Sequence, residues 1–208
     1  MNVLDEYFDV LDETGSTTGQ SKKRNDVHRD GDWHRSFHLW IVNSDGYVLL
    51  QRRSKHKDLE PNKVDVTVGG HYRAGETLAD VVREVEEEIG LFVRPEALHF
   101  LATKKAERFY DGKTDREFQD IYVLKHDQPL GHYFLDCNEV SILYELSLDK
   151  AIALFEKGKF AAAAGYDCQQ RINNALLTET DLIEQAKALT AKTLQQVKDW
   201  LEQFQTAS

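Results

Sequence analysis

The sequence contains no hydrophobic run near the roughly 18 apolar residues that a membrane-crossing helix needs. Its opening, MNVLDEYFDV, is too polar for a secretory leader. The expected setting is the cytoplasm. Cysteine is scarce as well: Cys137 and Cys168 stand far apart in a chain of 208 residues and match neither a zinc spacing nor a CxxC motif. They read as buried or incidental thiols, and nothing asks for an oxidising compartment. A basic surplus is also missing, with 26 Lys and Arg against 36 Asp and Glu and a formal net charge of −10. That deficit speaks against a nucleic acid polymer or an anionic membrane as partner, because both need a dominant basic surface. A phosphorylated small molecule stays compatible, since a local basic cluster or a bound cation offsets its charge. Internal repeats and low-complexity linkers are absent.

What is present fits one domain with extensions: 41% hydrophobic and 30% charged residues in a chain of this length. Tyr7–Leu11 reads as a short strand followed by turn residues at Glu13–Ser16. Phe37–Val42 and Tyr47–Leu50 flank Asn43-Ser44-Asp45-Gly46, the pattern of a β-hairpin. Further strands are expected at Val64–Val68, Leu98–Ala102, Gln119–Leu124 and Ile142–Leu146. Helices are expected at Leu78–Ile89, Asp149–Lys157 and about Thr180–Phe204. Short strands around one central helix favour an α/β or α+β sandwich. The expected division is an N-terminal extension over 1–34, a catalytic domain over 35–160 and a helical C-terminal extension over 161–208.

The central helix carries the chemistry. Thr77 and Asp80 form a capping pattern, and Gly90 supplies the stop. Leu78, Val81, Val82, Val85 and Ile89 share one face at about 100° per residue. Glu84, Glu87 and Glu88 crowd the other within an arc of roughly 100°. Like charges at these spacings repel, and a helix C-terminus disfavours anions. A divalent cation removes both objections, and oxygen-only ligands suit Mg2+, with Mn2+ able to substitute.

From Gly70 the chain runs GHYRAGE to Glu76, then TLADVV, then REVEEEIGL from Arg83 to Leu91. This closely resembles the Nudix box, with one residue fewer than usual between Glu76 and Arg83. The resemblance implies a Nudix-type α/β/α sandwich with a mixed sheet, here with an extra C-terminal helix. It also implies a metal-dependent hydrolase that cleaves a diphosphate linkage, in a nucleoside diphosphate derivative or a related compound. Glu84, Glu87, Glu88 and the carbonyl of Gly70 would hold the metal, with Glu117 completing the set. The general base would be Glu84 or Glu117, with Glu87 also open. Arg83 would brace the loop through Glu76. Arg52, Arg53 and Lys57, in the basic run that closes the hairpin, are the candidate substrate-binding residues.

Residues Asp26–His38 and Leu49–Arg53 resemble the branch of that family near the type I isopentenyl-diphosphate isomerases. That likeness suggests His28, His34 and His71 as metal ligands, although their spacing does not match the isomerases cleanly. Allylic isomerisation needs a thiol and an opposed carboxylate. Gly69 stands where the isomerases carry cysteine, and Gln119 is the residue aligned with their second carboxylate. Hydrolysis is therefore the expected activity. An isomerase-like enzyme and a non-catalytic nucleotide-binding regulator are the alternatives. The apolar stripe of the C-terminal helix, ending in Trp200 and Phe204, is expected to pack on its own domain or on a second copy in a homodimer.

Overall fold

The computed structural model describes residues 6–110 and 112–206. The hairpin forms as its turn chemistry demands. Trp33–Val42 is β3 and Tyr47–Arg53 is β4. Between them the Asn43 side chain accepts hydrogen bonds from the amides of Asp45 and Tyr47 at 3.0 and 2.9 Å, and Gly46 takes a φ of 80°.

The two strands pair only at Val42 and Val48, then separate. Beyond that point β3 runs parallel to β8 (Lys113–Lys125), and β4 runs antiparallel to β9 (Val140–Ser147). The opening is filled by β5 (Val64–Asp65), paired to β4, and β6 (Val68–His71), paired to β3. Thr67 stitches the gap, accepting from the Ile41 amide at 3.0 Å and donating to the Leu49 carbonyl. The expected strand Val64–Val68 is thus broken at Val66–Thr67, and the break delivers Gly69, Gly70 and His71 alongside β3.

Around this centre lie β1 (Tyr7–Leu11), β2 (Thr17–Lys23), β7 (His99–Tyr110), β10 (Ala161–Asp167) and β11 (Ile172–Leu177). All join one mixed sheet. The period-two alternation of its strands separates two cores. Phe37, Leu39 and Ile41 of β3 face α2 (Leu78–Val81) and α3 (Arg83–Ile89), as do Tyr122 and Leu124 of β8. Trp40, Val42, Ile121 and Val123 face α4 (Leu148–Lys157) and α5 (Lys187–Thr206) on the other side. This is the expected α/β/α sandwich with a helix added at the C-terminus.

Several expectations need correction. The central helix is not continuous: α2 and α3 are interrupted by a turn at Val82. The Thr77 capping box is formed, with Asp80 accepting from the Thr77 amide at 2.8 Å. Residues 1–34 are not a simple extension. They contribute β1 and β2 to the sheet and a short helix, α1 (Arg24–Asp30). The segment from 161 is not helical at first: β10 and β11 form a hairpin, and α5 starts at Lys187 rather than near Thr180.

Ala191, Leu194, Val197 and Leu201 of α5 are buried in the chain's own core. The stripe is spent there and gives no ground for a second copy. Trp200 is half-buried and stacks on His99, while the side chain of Phe204 lies outside the described residues. Cys137 and Cys168, remote in sequence, are neighbours in the fold. The Cys137 thiol is exposed and lies 3.8 Å from the Cys168 carbonyl oxygen, so the pair is not a buried one. Among the described residues, no helix is long and apolar enough to cross a membrane.

Candidate active site

The acidic face of α3 meets the end of β6 in a cleft of about 430 Å³ lined by Gly70, His71, Glu84, Glu87 and Glu88. Val85 and Ile89 anchor α3 to the core, which turns its carboxylates towards the cleft. Gly70 is required here: a Cβ at this position would lie 2.5 Å from Cγ of Glu84. Glu87 is 54% exposed, whereas Glu88 is 2% exposed and accepts from the Gln51 side-chain Nε2 at 3.0 Å.

Burial pushes the Glu84 carboxyl up to about 7, against the opposing pull of Arg83. Burial likewise pushes Glu88 up to about 8, against Lys57. A buried acid, a half-buried one and an exposed third crowd one cleft with few compensating cations on Glu88. An all-oxygen donor set of this kind fits a hard divalent cation.

The brace expected of Arg83 is present despite the shortened spacing. Its guanidinium lies 3.0 Å from Glu76 and 2.7 Å from Glu84, with Glu87 at 3.8 Å. Glu76 also accepts from the Arg73 amide at 2.8 Å, so one carboxylate ties the loop to the helix.

The expected cations divide. Arg53 and Lys57 line the cleft, Arg53 paired with Asp65 at 3.2 Å and Lys57 with Glu139. Arg52 does not. Neighbours on a strand point to opposite faces, and Arg52 is committed elsewhere. It donates to Asp181 at 2.7 Å, the Asn62 carbonyl at 2.7 Å and the Tyr144 hydroxyl at 2.8 Å. Sequence reading missed Arg24 and Arg73, which also line the cleft. Arg73 stands alone between Tyr72 and Ala74, and Arg24 closes the basic run Lys22-Lys23-Arg24, a signal the sequence reading passed over.

Glu117 is 2% exposed. It is absent from the cleft lining and stands behind Gly70 in an adjoining neck of about 40 Å³, shared with His38, His71 and Arg108. Its Oε1 is 3.2 Å from His71 Nε2, and its other oxygen accepts from Arg108 and from Gln119 at 2.7 Å. Burial alone would raise its pKa, but Arg108 and His71 hold it well below the usual carboxylate value.

The histidines that spacing argued against do converge. One ligand atom each from His28, His34, His71 and Asp115 lies within 4.8 Å of the others. His28 Nε2, His34 Nε2 and Asp115 Oδ1 are buried without a hydrogen-bond partner among the described residues, whereas His71 Nε2 faces Glu117 at 3.2 Å. Burial lowers His28 to about 3 and His71 well below its ordinary value, which leaves neutral imidazoles. Phe8 of β1 stacks on His34 and His71 at centroid distances of 5.2 and 4.8 Å and seals the cluster. His34 Nδ1 lies 3.3 Å from the Asp32 carbonyl, the kind of outer contact that orients a metal ligand. Three imidazole nitrogens and a carboxylate oxygen suit a divalent transition metal. The convergence depends on α1 and on the parallel pairing of β3 with β8, which no local pattern announces.

A family model of the NUDIX domain matches residues 32–170. An uncharacterized Nudix hydrolase of Clostridium acetobutylicum is 37% identical over 150 residues, covering 70% of this chain and 72% of that one. An isopentenyl-diphosphate Delta-isomerase 1 of Photorhabdus laumondii is 30% identical over 122 residues, 58% of this chain and 69% of that one. Among solved structures, a Deinococcus radiodurans protein superposes with a TM-score of 0.57 at 27% identity, over 74% of this chain and 91% of its own. With the box, the sandwich and these matches in agreement, the chain belongs to the Nudix hydrolases.

Proposed function

We propose that the protein cleaves a diphosphate linkage in a phosphorylated small molecule, with magnesium or manganese at Glu84, Glu87, Glu88 and the Gly70 carbonyl. Nucleoside diphosphate derivatives are the first class to test and isoprenoid diphosphates the second. One observation carries the reading. The three carboxylates of α3 share a single cleft with Arg24, Arg53, Lys57 and Arg73, so cation-binding and anion-binding groups face the same space. A divalent ion held there would neutralise the diphosphate and acidify a coordinated water. Arg53, Lys57 and Arg73 would orient the phosphates. Arg83 would fix Glu84, and Glu84 or Glu87 would take the proton from the attacking water. Glu117 is a poorer base, because Arg108 and His71 hold its pKa well below the usual carboxylate value and so weaken its affinity for a proton.

We assign the His28–His34–His71–Asp115 cluster to a second ion that imidazole selects. That cluster, with the similarity to an isomerase, is the observation favouring an isomerase-like alternative. The missing thiol opposes it, since Gly69 stands beside the neck and neither cysteine lines the neck or the cleft. Hydrolysis of a panel of diphosphate compounds, with products identified by mass, tests the activity. Failure to cleave any member with magnesium or manganese overturns it. Elemental analysis of the purified protein tests the second ion. His28→Ala is expected to lose one bound transition metal per chain, and an unchanged metal content removes the assignment.

A further inference from the structure

We propose that Cys137 and Cys168 are a disulfide-forming pair, and that their bridge locks one wall of the carboxylate cleft. The oxidant is a small disulfide such as oxidised glutathione. The lock goes beyond the diphosphatase reading, since it needs neither substrate nor metal.

These are the chain's two cysteines, 31 positions apart. Strand pairing brings them together. β10 runs antiparallel to β9 with Asp167 opposite Ile142, and the Cys168 amide extends that ladder by donating to the Ser141 carbonyl at 3.2 Å. The Cys168 thiol donates to the Val140 carbonyl at 3.1 Å, which fixes it to the start of β9. Just before Val140 the chain folds back, with the Glu139 and Val140 amides donating to the Asp136 carbonyl at 2.9 and 2.8 Å. That turn carries Cys137, whose exposed thiol lies 3.8 Å from the Cys168 carbonyl oxygen.

Each cysteine follows an aspartate that builds its turn. Asp136 accepts from the Asn138 amide at 2.9 Å, and Asp167 accepts from the Gln169 amide at 2.9 Å. Two turns held in this way keep the thiols side by side, so bridging them orders little that is not already ordered.

The thiols play different parts. Cys137 is exposed. Cys168 is half-buried, and burial together with the adjoining Cys137 thiol pushes it up to about 12. The reaction therefore starts at Cys137. Its sulfur attacks one sulfur of the small disulfide and forms a mixed disulfide. The old S–S bond breaks, and the first small thiol leaves with the proton that Cys137 lost. Cys168 then gives up its proton and attacks the Cys137 sulfur, and the second small thiol leaves with that proton. Two protein thiols are oxidised to one disulfide, and one small disulfide is reduced to two thiols.

The turn that carries Cys137 is also a wall of the cleft, lined there by Asp136 and Glu139. The Phe134 amide donates to the Ile89 carbonyl and the Asp136 amide to the Glu88 carbonyl, both at 3.0 Å. These bonds satisfy carbonyls at the end of α3, the helix that bears Glu84, Glu87 and Glu88. Glu139 also pairs with Lys57. A bridge from Cys137 to the turn between β10 and β11 removes open arrangements of this wall and holds the helix end and Lys57 in place.

The test treats the full-length protein with oxidised glutathione and follows intact mass and amide hydrogen exchange. The expected product is a single chain lighter by two hydrogens, with no free thiol, which dithiothreitol returns to the starting form. Exchange across residues 134–140 is expected to slow at least about threefold on oxidation. Cys168→Ser is expected to stop at one glutathione adduct on Cys137, and Cys137→Ser to show no change in exchange. Thermal melting confirms that both variants fold, and alanine at the same position replaces either that does not. Two free thiols, an adduct on each cysteine of the parent, or a disulfide between chains would overturn the pair. A bridge that leaves exchange at 134–140 unchanged would overturn the lock. None of these readouts depends on hydrolysis, so failure of the diphosphate panel leaves the lock standing, and loss of the lock leaves the diphosphatase standing.

Discussion

Glu88 shows what the site does to a single side chain. It is buried beside Glu84 with one neutral hydrogen-bond donor, and burial lifts both carboxyls far above their ordinary range. For a carboxyl whose folded pKa is raised, the protonated form is the one the fold tolerates. Its contribution to stability is fully present below the unfolded value of 4.5 and is lost as pH rises through about 7 for Glu84 and about 8 for Glu88. The metal-free protein, held in chelator, should therefore melt at falling temperature between those limits as pH rises. Magnesium should reverse the loss, because the ion competes with the protons. Melting curves of the parent and of a Glu84→Gln/Glu88→Gln variant check this: parallel pH profiles would remove the link. The same single substitutions should lower kcat at least about a hundredfold, as expected for a group that stabilises charge or moves a proton. The fold should survive them, since each replaces a carboxyl whose ionised form is disfavoured by desolvation with an amide. Near-parental turnover of both at saturating magnesium would overturn the metal assignment.

At the scale of elements, the interrupted helix shows which parts of the pattern are rigid. The Thr77 cap and the helix from Arg83 to Ile89 both form, on either side of a break at Val82. Because the brace from Arg83 to Glu76 spans that break, it holds loop and helix together where the backbone does not. Arg83→Ala and Glu76→Ala should each lower thermal stability and metal affinity. A double-mutant cycle should give a coupling of about 0.5–3 kcal/mol; additive losses would mean the contact is incidental. These features were legible because their signals are local: a cap, a stop, an Asp-Gly turn, one apolar face. Other elements were not. Ala161–Ala164 carries the strongest helix former, yet Ala161 and Ala163 are buried in a strand of the sheet. Arg52 and Arg53 looked alike in sequence, and only strand pairing sends them to opposite faces.

Across the whole molecule, the illegible part is what non-local pairing assembles. The parallel match of β3 to β8 sets His34 opposite Glu117, and α1 brings in His28. Nothing within a few residues of either histidine states that partnership. The C-terminal helix poses the opposite case. Its apolar stripe was plain in the sequence, but whether it faced its own sheet or a second chain was not. The structure spends Ala191, Leu194, Val197 and Leu201 on the core around α4, while Leu189 and Thr193 line a pocket of about 310 Å³ against the sheet. A helix with this role should show its energy in folding and not in association. Leu194 is fully buried, so Leu194→Ala should cost about 2–5 kcal/mol, the range for a leucine removed from a packed core. Denaturant unfolding would measure that loss, and light scattering at micromolar concentration would give the mass of parent and variant. The expected result is a lower unfolding midpoint at unchanged mass. A change in mass with an unchanged midpoint would place Leu194 at an interface between copies, and the helix would then have to be reassigned from core to contact.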